Sequence, residues 1–220
     1  MTYHAFELLV FDWDGTIVDS AAAIVAALQT ACHDLNLTVP SRESALSIIG
    51  LGMREALFRV VPDLQEAQFE PLRARYREAY AEMEQQVILF DGVFEGLTVL
   101  RQQGYRTAVA TGKSRAGLNR ALDQAGLNTC FDYTRCADEC PSKPAPDMLL
   151  EIMEVLSVSS GRTLMVGDTT HDLEMARNAG VQAVAMLYGA HPEAALAACH
   201  PLNAFNAFSD FVSWIQSLKN

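Results

Sequence analysis

Lysine is nearly missing from this chain: of 16 basic residues only Lys113, Lys143 and Lys219 are lysines, so a lysine inside a motif carries information. Basic charge as a whole is short. With 27 acidic residues the formal net charge is −11, which argues against sequence-independent binding to nucleic acid, because phosphate backbones attract clustered Lys and Arg. Any phosphate bound here must be drawn by local charge. Long apolar runs are absent, and the N-terminus has no basic stretch ahead of an apolar one. A soluble protein with no membrane partner is expected. Cysteines are few and odd in number (Cys32, Cys130, Cys136, Cys140, Cys199), which argues against a disulfide framework and for a reducing, cytoplasmic setting. Cys136-x-x-x-Cys140 lacks a second Cys/His pair at zinc spacing, so buried inert thiols are expected rather than a metal site. Internal repeats and low-complexity tracts are missing as well.

Half of the 220 residues are hydrophobic and a fifth are charged, enough to bury a substantial core and carry an inserted unit. Four short apolar, β-branched runs, Phe6–Phe11, Arg106–Ala110, Leu164–Val166 and Val181–Met186, are each followed by a turn and a helical pattern. That alternation predicts an α/β fold: a Rossmann-like parallel sheet with helices on both faces. Weaker strands are expected at Phe131–Arg135 and Ala204–Phe205, the latter ahead of a closing helix over Ser209–Leu218. From Ser20 to Gln86 the rhythm breaks, and Ala, Leu, Glu, Arg and Gln recur at helical spacing. Here Ser20 is expected to N-cap a helix beginning at Ala21, Pro40-Ser41 to open a second, and Pro62-Asp63 a third running through Tyr76 and Tyr80. The turn Asp91-Gly92 then precedes a core helix over Val93–Gln103. The expected division is a core of residues 1–18 and 88–220, interrupted by a helical subdomain over residues 19–87.

The chemistry begins with "FDWDGTIVDS" (11–20), where Asp12 and Asp14 follow the first strand. Ligands of open parallel sheets bind beyond the carboxyl ends of the strands. A spacing of two in extended chain points both carboxylates to one side, and Gly15 lets the backbone turn sharply. Two acids so close repel unless a cation intervenes or one keeps its proton, and Mg²⁺, which prefers oxygen ligands and substrate phosphate, suits them. "AVATGKS" (108–114) puts Thr111 at a strand end and Gly112 in the turn, beside a helix N-terminus fit for phosphate. It is not a nucleotide P-loop, since Thr107 stands where that motif needs glycine. Lys113 reads as a solvated helix start and Ser114 as an N-cap. "CPSKPAPDML" (140–149) fixes Lys143 beside prolines, before a helix from about Asp147. "LMVGDTTHD" (164–172) adds Asp168, able to complete a magnesium site, and Asp172, able to orient its water, at the start of a helix over Thr169–Asn178. His171 reads as an exposed helix residue. Together Asp12, Asp14, Thr111, Lys143, Asp168 and Asp172 form one constellation suited to phosphoryl transfer, with Asp12 as nucleophile through an aspartyl-phosphate.

The motifs "DWDGT" (12–16), "ATG" (110–112), "SKP" (142–144) and "GDTTHD" (167–172), in this order, closely resemble those of the haloacid dehalogenase-like phosphatase superfamily. The inserted helices resemble its helical C1 cap, and the pattern is similar to the phosphoglycolate phosphatase-like branch. The resemblance implies Mg²⁺-dependent hydrolysis of a small phosphorylated metabolite. Asp12 would attack phosphorus and bind Mg²⁺; Asp14 would protonate the leaving alcohol, then activate water, and bind the metal through its backbone carbonyl. Thr111 and the Gly112 amide would hold the phosphoryl group, Lys143 would balance its charge, Asp168 would ligate Mg²⁺, and Asp172 would stand behind it. Asp19 and Ser20 match the start of the cap hinge, and N-capping accounts for both.

Within the cap, "IIGLGMREALF" (48–58) lies where this branch carries a substrate-facing loop. Gly50, Leu51, Gly52 and Arg54 either contact the leaving group there or form a helix–helix turn with Arg54 solvated. A mutase of the β-phosphoglucomutase kind would use the same core, returning the phosphoryl group to a bound sugar phosphate. A response-regulator receiver also pairs acids with a strand-end Thr and a Lys, but the acid two residues after Asp12, the insert and the length argue against it.

Overall fold

β1 (Leu8–Phe11) is buried on both faces, as a continuous apolar run in a parallel sheet must be. The computed structural model, which describes residues 6–218, sets it at the centre of a six-stranded parallel sheet. β4 (Arg106–Thr111) and β5 (Tyr133–Cys136) extend the sheet on one side, and β6 (Thr163–Gly167), β7 (Gln182–Met186) and β8 (Asn203–Phe205) on the other, in the order β5-β4-β1-β6-β7-β8. Phe11 is in register with Val109 of β4 and Val166 of β6, so these three strands end at one level. That shared rim places Asp12, Thr111 and Asp168 side by side.

Alternation along each strand divides the core into two layers. Leu9, Phe11, Val109, Leu164, Val166 and Val184 face one layer, closed by α5 (Val93–Gln102), α6 (Arg115–Ala125) and α10 (Phe208–Ser217). Leu8, Val10, Ala108, Ala110, Met165 and Ala183 face the other, closed by α7 (Asp147–Leu156), α8 (Thr170–Asn178) and α9 (Glu193–Ala198). The expected α/β sheet with helices on both faces is therefore the observed fold.

Residues 20–86 contain no strand. They form α1 (Ala21–Asp34), α2 (Arg42–Leu46), α3 (Met53–Val60) and α4 (Glu66–Met83), which share an apolar centre of Val25, Leu28, Ala45, Ile48, Leu57 and Leu72. Two short antiparallel strands, β2 (Val18–Asp19) and β3 (Ile88–Leu89), pair where the chain leaves and re-enters the sheet.

Several boundaries differ from the pattern-based expectation. α4 begins at Glu66 rather than near Pro62-Asp63, because Gln65 and Gln68 form a reciprocal capping box there. α3 emerges as a separate helix after the Gly50-Leu51-Gly52 turn. Ser41 does cap α2, accepting from the Ser44 N–H. Ser20 does not cap α1: its hydroxyl is given to Asp14 instead. Thr169, expected as the first helical residue, is the N-cap of α8.

Candidate active site

Asp12 leaves the end of β1 with its backbone N–H bonded to the Val166 carbonyl, which fixes the carboxylate above the rim. Its Oδ1 accepts from the Trp13 N–H at 2.7 Å and lies 2.8 Å from Lys143 Nζ. Its Oδ2 is buried with no hydrogen-bond partner among the described residues, a costly state for a carboxylate oxygen unless a ligand completes it. Lys143, fully buried, reaches from the loop before α7 and also binds Asp172 Oδ1 at 2.6 Å. Asp172 Oδ2 in turn accepts from the backbone N–H and hydroxyl of Thr169, an α8 cap that doubles as a scaffold for the ammonium. Asp168 is held by the Thr16 hydroxyl at 2.7 Å and the Ala190 N–H at 2.8 Å.

One carboxylate oxygen from each of Asp12, Asp168 and Asp172 lies within 4.8 Å of the others. Three buried acids thus face a single buried ammonium, a deficit that a hard divalent cation with oxygen ligands would relieve. The titration directions follow. Burial pushes the Asp12 carboxyl well above its ordinary range, with Lys143 opposing and Asp172 and Asp168 adding to the rise. Burial, then Asp172, pushes Asp168 up to about 7, against the bonds from Ala190 and Thr16. Burial works against the Lys143 charge, but Asp12 and Asp172 outweigh it and hold the ammonium protonated.

Asp14 points elsewhere. Its carboxylate accepts from the Ser20 hydroxyl at 2.7 Å and sits 3.1 Å from Lys113 Nζ, so it is not one of the three clustered carboxylates. Gly15 makes this turn with φ +80°, and a Cβ there would strike Asp168 Oδ2 at 2.1 Å; no larger residue fits. Thr111, fully buried, closes β4 beside Gly112, and Ser114 caps α6 by accepting from Gly117 N–H. The cap loop presses onto Gly112: a Cβ there would lie 2.5 Å from the Leu51 carbonyl oxygen. The Gly52 N–H donates to Ser142 Oγ at 2.6 Å, beside Lys143, and Gly50 stands over Thr169 and Asp12.

Of the residues expected to act, Asp12, Asp168, Asp172, Lys143 and Thr111 are gathered at one rim, with Asp14, Gly112 and Gly50 adjoining. Arg54 is the exception. It is exposed, bonded to Glu66 at 2.7 Å and laid over the Phe58 and Phe69 rings, and it lines a groove separate from the cavity onto which Asp14 opens.

Two residues inside the quoted motifs join the site in ways that the motifs did not indicate. Lys113 is not solvated: its ammonium lies between Asp14 and Tyr80 of α4, 3.4 Å from the phenol oxygen and 4.8 Å from the ring centre. Burial opposes its charge, yet Asp14, Tyr80 and Tyr76 keep it firmly protonated. His171 is buried, not exposed; its Nε2 lies 3.0 Å from the Ser47 carbonyl oxygen, tying α8 to the loop after α2. For Lys113 the scarcity of lysine and its place in "AVATGKS" were the sequence signals, and the solvated reading made of them is overturned. His171 had none.

Among the described residues no helix is long and apolar enough to cross a membrane, and all five cysteines are free thiols.

The family model for haloacid dehalogenase-like hydrolases matches residues 9–186. The chain is 37% identical over 218 residues, covering 96% of itself and 94% of the relative, to a Dickeya dadantii protein named Probable phosphatase IndB. It is 31% identical over 189 residues to a phosphoglycolate phosphatase of Pseudomonas putida, covering 83% of this chain and 70% of that one. The crystal structure of a protein described as a predicted phosphoglycolate phosphatase from Haemophilus somnus superposes with a TM-score of 0.87 at 26% identity, over 96% of this chain and 98% of the other. A match that runs from β1 through β7 takes in every strand whose end builds the carboxylate cluster, and by it the chain belongs to the haloacid dehalogenase-like hydrolases.

Proposed function

We propose that this hydrolase is a Mg²⁺-dependent phosphatase, cleaving a small-molecule phosphate monoester through an aspartyl-phosphate on Asp12. The observation that carries the reading is the Asp12 carboxylate: Oδ1 is fixed by Trp13 and Lys143, while the buried Oδ2 has no partner among the described residues. A nucleophile needs that combination of fixed aim and unused lone pair. The names of the phosphatase relatives point the same way.

In this reading Asp12, Asp168 and Asp172, with the Asp14 backbone carbonyl, would hold Mg²⁺, which would supply charge neutralisation for the phosphoryl oxygens. Asp12 Oδ2 forms a bond to phosphorus as the ester P–O bond breaks, and the leaving oxygen takes a proton from Asp14. The Thr111 hydroxyl and the Gly112 amide hold the phosphoryl oxygens in place. Lys143, kept protonated by its two acids, offsets the charge of Asp12 and of the group it receives. Asp14 then takes a proton from water, which attacks phosphorus, breaks the Asp12–phosphorus bond and releases phosphate. Residues 19–87 act as a cap that shields the phosphorylated aspartate from bulk water until the alcohol has left. Hydrolases of this family turn over, which separates the reading from a receiver that stays phosphorylated.

Incubation with p-nitrophenyl phosphate and Mg²⁺ should release many nitrophenols per protein. Asp12→Asn should lower turnover about a thousandfold or more while leaving phosphate-ester binding measurable. Retained activity in that variant removes Asp12 from the nucleophilic role.

A further inference from the structure

We propose that His171 is a positioning residue that ties the cap loop of residues 47–52 shut over Asp12, so that a phosphate ester enters only when its bond to Ser47 breaks. The proposal rests on the phosphatase reading for what enters, not for the tie itself. α2 is five residues long and ends at Ser47, whose carbonyl receives no backbone N–H among the described residues. His171 supplies the missing donor. Its Nε2 lies 3.0 Å from that oxygen, and because a carbonyl oxygen only accepts, the proton sits on Nε2.

The ring is held for this contact. It is buried in the first turn of α8 and meets the His191 ring edge to face, with 5.1 Å between centres and 74° between planes. His191 is fixed in turn, since its Nδ1 accepts at 3.1 Å from the Thr170 N–H, one of the amides that the start of a helix leaves without a helical partner.

A second tie secures the other end of the loop, where the Gly52 N–H donates to Ser142 Oγ at 2.6 Å. Each tie comes from the residue just before a charged member of the site: His171 precedes Asp172, Ser142 precedes Lys143, and Lys143 and Asp172 are themselves paired at 2.6 Å. Between the ties the backbone crosses the reacting oxygen. A Cβ on Gly50 would lie 3.7 Å from Asp12 Oδ2, and one on Gly112 would lie 2.7 Å from the Gly50 carbonyl oxygen. Asp12 Oδ2 is buried under this crossing, so a phosphoryl group reaches it after the loop lifts. His171 thereby sets how often the site opens, without touching the ester.

The test compares the full-length chain with His171→Phe, which keeps a ring and loses the donor, and with His171→Gln, which keeps an N–H donor. Amide hydrogen exchange of residues 47–52, measured by mass without ligand, should quicken about tenfold in His171→Phe and stay within about threefold in His171→Gln. Beryllofluoride with Mg²⁺, a mimic of a phosphoryl group on a carboxylate, is then mixed in and followed by tryptophan fluorescence, Trp13 being next to Asp12. With the loop shut in both the free and the bound chain, losing the tie should speed association and dissociation alike, each about tenfold, and leave affinity within about threefold. Damage to the site would weaken affinity without faster association, and that result overturns the proposal. So does unchanged exchange in a folded His171→Phe chain, or exchange as fast in His171→Gln. If His171→Phe does not fold, Ser142→Ala frees the loop from its other end and should quicken the same exchange; no change there also overturns it. The phosphatase reading is judged separately: if beryllofluoride does not bind the unmodified chain while exchange behaves as stated, phosphorylation of Asp12 falls and the tie stands.

Discussion

Asp168 is the residue whose protonation the site makes visible. Its carboxyl is pushed up to about 7, by burial first and the Asp172 charge second, so the folded chain holds a proton there that an unfolded chain releases near 4. Without metal this contribution to stability is full below the unfolded value and is lost as pH rises through about 7. A cation must displace that proton, and any held by Asp12, so apparent Mg²⁺ affinity should rise with pH through about 7. Titration calorimetry at stepped pH checks this; an affinity flat from pH 5 to 7 contradicts it. Asp12, Thr111, Lys143 and Asp168 were legible from sequence, because each stands in a short motif at a strand end. Lys113, Ser20 and His171 were not: their partners Tyr80, Asp14 and Ser47 are assigned by the turn after β1 and by cap packing, and neither leaves a local pattern.

At the scale of elements, the cap helices show how far spacing alone reaches. Apolar periodicity located α1 and α4, but α3 was hidden because its glycine-flanked start reads equally well as a turn. Arg54 entered as a candidate substrate contact because its segment lies where the resembled branch carries a substrate-facing loop, with a helix–helix turn and a solvated Arg54 as the alternative. On the formed helix its guanidinium lies over Phe58 and Phe69 and pairs with Glu66 in solvent. Exposed pairs of this kind contribute little. Arg54→Ala should therefore leave kcat/KM on p-nitrophenyl phosphate within about twofold of the unmodified chain, whereas a loss of more than tenfold would return Arg54 to the site. The strands β2 and β3, two residues each, had no run long enough to register as periodic, yet they pair where the chain passes between sheet and helices.

For the whole molecule, alternating strand and helix was enough to foresee the parallel sheet, since a βαβ chain has few other ways to bury both faces of its strands. The order of strands was not. It follows from crossovers on both sides of β1, and that order puts the acids of β1 and β6 next to one another. In the proposed reading, a cation held by the three clustered acids, together with the buried Lys143 and the partly buried Lys113, would let a chain of net charge −11 draw in a phosphate ester. The account stands on Asp12 becoming phosphorylated. The most direct measurement is to quench the chain during steady turnover of p-nitrophenyl phosphate, reduce it with borohydride, and sequence its peptides by mass. The account predicts homoserine at position 12, the product of reducing an aspartyl-phosphate. Aspartate left intact at position 12 throughout steady turnover, or the phosphoryl group recovered on another side chain, would contradict it.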